Sequence, residues 1–142
     1  MAKKKKKTQK QKGLFPELEE IVSVLQSNRR QDILILIIPS ADKRDVELKD
    51  QEMWANSAME LFADLYGGAT AFQTFAGIYK ADNGKVLHDR PILIESYVER
   101  ETLEDKATLK QLLEFCKRMG RETNQAAVGL IVNSVFHEIT DY

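Results

Sequence analysis

The sequence predicts an α+β domain of the ferredoxin-like class, a βαββαβ sandwich that follows an extra N-terminal helix and a disordered lysine-rich tail. Segments of helical and strand periodicity come as one helix and then β-α-β-β-α-β, and two such halves joined by a hairpin give this arrangement. Six consecutive aliphatic residues at 33–38 are typical of a central strand. The main alternative is another small α/β sandwich with its strands paired differently.

The chain divides into a disordered basic tail at residues 1–13, a helix at 14–30 and the α+β domain at 31–142. The tail holds seven lysines and no acidic residue. Taking these seven from the total of 21 basic residues leaves 14 against 22 acidic ones, so the rest of the chain has a net charge of −8. The tail is either a solvated appendage or a non-specific contact for nucleic acid. Its lysines are Lys3, Lys4, Lys5, Lys6, Lys7, Lys10 and Lys12.

The predicted first helix has an acidic first turn and one apolar stripe. Pro16 suits the first turn, where a backbone N–H has no partner within the helix, and acidic residues suit the positive end of the helix dipole. The acidic residues are Glu17, Glu19 and Glu20, and the stripe is Leu18, Ile21, Val22 and Leu25.

The aliphatic run at 33–38 has a consequence for assembly. A half-exposed strand alternates apolar and polar residues, whereas an unbroken apolar run predicts a strand that is covered on both faces. Helices on one side of a sheet leave the other side open, so either the first helix or a second copy of the chain is expected to cover it. We therefore expect a homodimer, or a protein partner, that docks through the sheet.

The next helix and hairpin have clear boundary residues. A helix at 50–66 is predicted to end at Gly67, because glycine adopts the left-handed conformation at no steric cost. A strand at 72–79 follows, and Asp82-Asn83-Gly84 is a strong hairpin signal. The return strand is split by Asp89-Arg90-Pro91 and resumes at 92–98, since proline marks a strand start, an edge or a bulge.

The last third of the chain predicts one helix and one strand. The apolar periodicity places a third helix at 103–119, closed by Gly120. The last strand is predicted at 127–137, and its apolar start indicates an internal position.

Several chemistries have no signature in this sequence. The single cysteine, Cys116, excludes an internal disulfide and fits a reducing cytoplasm, which is the expected location. Two histidines and one cysteine give no metal-ligand spacing, no phosphate loop or dinucleotide fingerprint is present, and we expect neither a metal nor a cofactor. The longest apolar runs are too short for a membrane span.

Two polar groups remain as candidate sites. In the predicted topology Glu95 interrupts an apolar strand at the same end of the sheet as Tyr97 and His137, and a Glu/Tyr/His pocket would supply an acid and a base. The alternative is that Glu95 simply points into solvent. At the opposite end, Arg121 either contacts an anion or forms an ion pair with Glu122.

The motifs resemble a family of small prokaryotic proteins of unassigned function. They are Trp54, Leu61-Phe62, a Tyr-Gly-Gly-Ala-Thr-Ala-Phe stretch at 66–72, Gly77-Ile78-Tyr79, Glu95-Ser96-Tyr97-Val98 and a Gly-Arg-Glu-Thr-Asn-Gln loop at 120–125, within a similarity that covers residues 33–142. The resemblance implies proximity to DNA-modification or phage-defence genes and supplies no catalytic residue.

The sequence therefore predicts a non-catalytic cytosolic interaction or accessory module. The two alternatives are nucleic-acid binding through the lysine tail and a small enzyme or ligand sensor that uses the Glu/Tyr/His pocket.

Overall fold

The computed structural model describes residues 30–142, so the predicted tail and nearly all of the predicted first helix lie outside the described residues. Seven strands and three helices follow one another in the described part of the chain. They are β1 (Asp32–Ile38), α1 (Gln51–Tyr66), β2 (Thr70–Gln73), β3 (Gly77–Lys80), β4 (Val86–Asp89), β5 (Ile92–Val98), α2 (Arg100–Glu104), α3 (Lys106–Glu122), β6 (Val128–Val132) and β7 (Val135–Ile139).

The main sheet has five strands in the order β2-β5-β1-β6-β7, and all neighbouring pairs are antiparallel. The first four of these, with α1 and α3 against one face, form the ferredoxin-like arrangement that the sequence predicts. β7 is an addition beside β6, and β3 pairs with β4 in a separate two-stranded sheet.

The core lies between the main sheet and its two long helices. Alternate residues of β1 and β5 point into it, among them Leu34, Leu36 and Ile94, each with 0% exposure. Phe62 of α1 and Met119 of α3 meet them from the other side with the same exposure. α1 ends as predicted, because Gly67 has a φ of +88° and its N–H donates to the carbonyl of Ala63.

Within residues 30–142 only one face of β1 is fully covered, and the predicted cover of the other face, the first helix or a second copy, lies outside the described residues. Leu34, Leu36 and Ile38 are buried under the helices, whereas Ile33, Ile35 and Ile37 are half-buried on the opposite face. The apolar character of the second face is therefore not explained by contacts within residues 30–142.

Two predicted strands are each divided in the structure. The strand predicted at 72–79 breaks at Thr74, whose N–H and hydroxyl both donate to the carbonyl of Pro91, and β3 then leaves the main sheet. The strand predicted at 127–137 is a hairpin, because Asn133 and Ser134 have φ values of 48° and 69° and reverse the chain. The predicted hairpin at Asp82-Asn83-Gly84 is confirmed, with Gly84 donating to the carbonyl of Ala81.

The helix predicted at 103–119 begins and ends elsewhere. Asp105 separates the short α2 from α3 and caps α3, since its carboxylate accepts from the N–H of Thr108 at 2.9 Å. Gly120 lies inside α3 rather than after it. A Cβ at Gly120 would lie 2.5 Å from the ring of Tyr142, so this glycine allows a close approach and does not end the helix.

Candidate functional site

The face of the main sheet that points away from the helices, here called the open face, is the first candidate site. The strand register places one row of side chains across all five strands. From edge to edge the row is Thr70, Glu95, Ile35, Ile131 and Phe136. Apart from Glu95 and Thr70 the row is apolar, and Phe136 at its end is 53% exposed.

Neighbouring rows of the open face are also apolar. Phe72, Leu93 and Ile37 lie opposite one another on three adjacent strands, and Phe72 is 48% exposed. Gly129 leaves room for the ring of Phe136 to approach, because a Cβ there would lie 2.9 Å from Cε2 of Phe136. The open face is thus largely apolar, with Glu95 inside it and the exposed Glu138, opposite Gly129, on its edge strand β7.

Glu95 is a half-buried carboxylate within this surface. Its cross-strand neighbours are Ile35 on one side and Thr70 on the other, and Tyr97 lies two residues further along the same face. Within residues 30–142 the Glu95 side chain makes neither a hydrogen bond nor an ion pair. A carboxylate among aliphatic side chains gains much from a donor or a cation, so an incoming group can satisfy it.

The structure separates His137 from Glu95, and the predicted Glu/Tyr/His pocket is wrong in this respect. His137 lies opposite Leu130, which points towards the helices, so the imidazole is on the other face of the sheet. β7 is also three strands away from β5, about 14 Å at the usual spacing. The cause is the turn at Asn133-Ser134, which the sequence analysis read as continuous strand.

Tyr142, which follows β7, does not lie beside Glu95 either. Its hydroxyl donates to the carbonyl of Gln125 at 2.6 Å, beside the end of α3. Tyr66 is also remote from the open face, since it packs edge-on against Phe62 in the core and burial raises its pKa to about 12. Tyr97, 53% exposed, is therefore the only predicted partner that shares a face with Glu95.

The hairpin formed by β3 and β4 carries further exposed apolar side chains. Phe75, in the link from β2, is 94% exposed, and Ile78 and Val86 are 68% and 49% exposed. Leu87 is buried, so one side of the hairpin packs on the body while the other presents apolar groups. A two-stranded hairpin alone is marginally stable in water, and these exposed groups suit a partner surface.

Arg121 lies in a second candidate site, a groove of about 520 Å³ between α1 and α3. It belongs to the last turn of α3 and not to a loop, and no ion pair joins it to another residue of the described range. The groove is lined by Leu61, Gln111, Glu114, Phe115, Lys117, Arg118 and Arg121. Arg118 and Phe115 were missed by the sequence analysis, although their spacing from Gln111 and Arg121 places all four on one side of α3.

An ion pair between a buried carboxylate and a half-exposed arginine joins the start of β1 to α2. The Asp32 side chain is 2% exposed and accepts two hydrogen bonds of 2.8 Å from the guanidinium of Arg100 and one of 2.6 Å from the amide of Asn133. These hydrogen bonds, those of Arg100 first, hold the pKa of Asp32 below its usual value. Since both oxygens of the carboxylate are hydrogen-bonded within the protein, the cluster is structural.

The described part of the chain contains no group of three or more acidic, histidine or cysteine side chains placed to hold a metal ion. None of its helices is long and apolar enough to cross a membrane.

No protein-family model and no curated protein sequence matches this chain. Among solved structures, it is similar to a phage SAM lyase in complex with S-methyl-5'-thioadenosine, with a TM-score of 0.56 and 10% identity over 81% of this chain and 93% of that chain. The apo state of a phage SAM lyase is similar with a TM-score of 0.55 and 12% identity, over 82% of this chain and 97% of that chain. The divalent ion tolerance protein CutA1 from Ehrlichia chaffeensis has a TM-score of 0.37 and 11% identity, over 78% of this chain and 82% of that chain. At these identities the likeness to the phage structures shows a shared fold.

Proposed function

We propose that this protein is an interaction module that associates with a second copy of itself through the open face, as an accessory part of a DNA-modification or phage-defence system. The observation that carries the proposal is the apolar row on three adjacent strands of the sheet, which consists of Ile35, Ile131 and Phe136. Exposed apolar surface of this extent is typical of a protein interface. The phage origin of the structural neighbours is compatible with the setting.

The size of the face fits such an interface when the hairpin takes part. Five strands of four to seven residues span about 24 Å by about 20 Å, roughly 500 Å² in projection. A stable interface buries about 800 Å² on each partner, so the open face alone falls short. The β3–β4 hairpin, which is inserted between β2 and β5 of this sheet, exposes further apolar side chains, among them Ile78 and Val86.

Polar complementarity also favours a second copy as the occupant. A two-fold interface places the same surface on both sides, so each open face meets both a carboxylate and a phenol. Glu95 accepts hydrogen bonds and Tyr97 can donate one, which would satisfy a carboxylate that has no partner within residues 30–142. An interface of this kind buries Glu95 without leaving it unpaired.

Substitutions at Ile35 test this proposal in the full chain. We expect Ile35→Glu and Ile35→Lys both to reduce the assembly to single chains in size-exclusion chromatography with light scattering, because either charge would be buried at the interface. Within one chain the two substitutions change the cross-strand interaction with Glu95 in opposite directions. A lysine opposite Glu95 stabilises the strand pair by about 0.2–1 kcal/mol, whereas a glutamate destabilises it by a similar amount.

The matched control is Asn56→Glu, an added charge on the exposed side of α1. This variant should assemble like the wild type. Assembly that survives both Ile35 variants would refute the proposed interface.

A second candidate function is the binding of an adenine thioether or sulfonium on the open face. It is favoured by the unpaired Glu95 beside the exposed ring of Tyr97, since a carboxylate can accept from ribose hydroxyls or attract a sulfonium and a phenol ring can stack on adenine. A structural neighbour binds S-methyl-5'-thioadenosine. A catalytic version of this proposal is lyase activity on SAM.

Calorimetric titration with S-methyl-5'-thioadenosine and with SAM tests the second candidate. Binding that is lost in Glu95→Gln, with unchanged unfolding, would support it, and S-methyl-5'-thioadenosine formed from SAM would make the protein an enzyme. If neither compound gives heat, or if the variant binds with unchanged affinity, the second candidate function is excluded.

A further inference from the structure

The groove between α1 and α3 is a basic surface on an acidic chain. Lys117, Arg118 and Arg121 line it, and Glu114 is the only acidic residue among its lining residues. No carboxylate within residues 30–142 forms an ion pair with any of the three cations, since the ion pairs there involve Arg44, Arg100 and Lys110. The groove therefore presents unmatched positive charge to an occupant.

Arg118 is held in place by aromatic rings. Its guanidinium carbon lies 5.2 Å from the ring centroid of Trp54 and 5.6 Å from that of Phe115. Trp54 is 2% exposed, and its indole N–H donates to the carboxylate of Asp50 at 3.2 Å. Stacking occupies the face of the guanidinium and leaves its N–H groups at the edge to bind a carboxylate.

Arg30, the first described residue, has its side chain near one end of this groove. Arg30 lies beside the end of α1, because a Cβ on Gly67 would be 2.9 Å from a terminal nitrogen of its guanidinium. Leu61, which lines the groove, precedes Gly67 by six residues, or about 9 Å along the helix axis. Residues just before Arg30 are thus within reach of the end of the groove that Leu61 lines.

The spacing of charges along the two segments also agrees. Trp54, which lies under Arg118, precedes Gly67 by 13 residues, about 20 Å along α1. Glu17 also precedes Arg30 by 13 residues, so the predicted helix, if it runs alongside α1, brings Glu17 level with Trp54. The apolar stripe of that helix then falls beside Leu61 and Phe115.

We propose that the segment 14–27 docks as a helix into the groove between α1 and α3, with its apolar stripe against Leu61 and Phe115 and with Glu17 and Glu19, which flank the stripe, against the cations. Glu20 falls on the opposite side of that helix. This placement keeps the first helix off the open face and projects the lysine tail from the end of the molecule where α3 finishes. It is independent of what the open face binds.

Hydrogen exchange of the full chain, read by mass spectrometry over residues 14–27, tests the docking. An undocked helix of this length is marginal in water, so protection of the segment reports contact with the body. We expect Arg121→Glu, which leaves the aromatic floor intact, to raise the exchange rate of the segment roughly tenfold, since removal of a partly desolvated charge pair and addition of repulsion act together. Pairing it with Glu17→Lys should restore part of the protection.

The control is Lys85→Glu, the same charge change on the remote hairpin, which should leave the segment protected. Exchange at the rate of a free peptide in the wild type would overturn the proposal, and so would protection that Arg121→Glu does not change. Protection lost in Ile35→Glu but kept in Arg121→Glu would instead place the segment on the open face, and would also overturn it.

Discussion

Replacing Gly120 by alanine sets two known effects against each other. Gly120 lies within α3, and alanine in a helix is more favourable than glycine by up to about 1 kcal/mol. A Cβ there would lie 2.5 Å from two ring atoms of Tyr142, which is far inside van der Waals contact. Overpacking of this kind costs roughly 1–3 kcal/mol. We expect Gly120→Ala to lower the free energy of unfolding by up to about 2 kcal/mol.

The double variant separates the two effects. With Tyr142→Ala in place the ring is absent, so Gly120→Ala should raise the free energy of unfolding by about 0.5–1 kcal/mol. The coupling between the two sites should then exceed about 1 kcal/mol. Urea unfolding followed by the fluorescence of Trp54 measures all four chains. If Gly120→Ala stabilises the wild-type chain, the ring of Tyr142 does not lie against Gly120 and the reasoning is refuted.

Three further predictions concern charge and burial. The hydrogen bonds of Arg100 lower the pKa of Asp32, so this carboxylate stabilises the folded chain above its usual pKa of 3.8, and the stabilisation is lost as the pH falls through the lower folded value. Acid unfolding should show this loss in the wild type and not in Asp32→Asn. Burial raises the pKa of Cys116 to about 12, so a thiol reagent at pH 8 should label it only after urea unfolds the chain. If the lysine tail binds duplex DNA, the log–log salt slope should be no steeper than about −6 for seven phosphates and should vanish when residues 1–12 are removed; a slope that persists would place the contact on the body.

The parts of the fold that the sequence predicted correctly are those with local causes. Gly67 ends α1 because only a left-handed residue fits there, and Pro91 separates β4 from β5 because proline lacks a donor. The ferredoxin-like order also brings the loop after β1 to the loop after α3, where the amide of Asn124 donates to Asp42 at 3.2 Å. These features follow from the order of the elements and their boundary residues.

The errors come from contacts between distant parts of the chain. Val132-Asn133-Ser134-Val135 has apolar residues on both sides of its turn, and its asparagine completes the turn by bonding to the backbone of Ile33 and to Asp32. Gly120 was read as a helix end because nothing local reveals that Tyr142 lies against it. The position of His137 depended on this hairpin, so the predicted pocket failed with it.

The central claim is that the open face is an interface between copies of this chain, and sedimentation equilibrium of the full wild-type protein over a concentration series tests it most directly. The mass of one chain is 16.2 kDa. The account predicts a mass of at least two chains that falls towards 16.2 kDa on dilution, and a single-chain mass throughout for Ile35→Glu. A wild-type mass of 16.2 kDa at every concentration would contradict it.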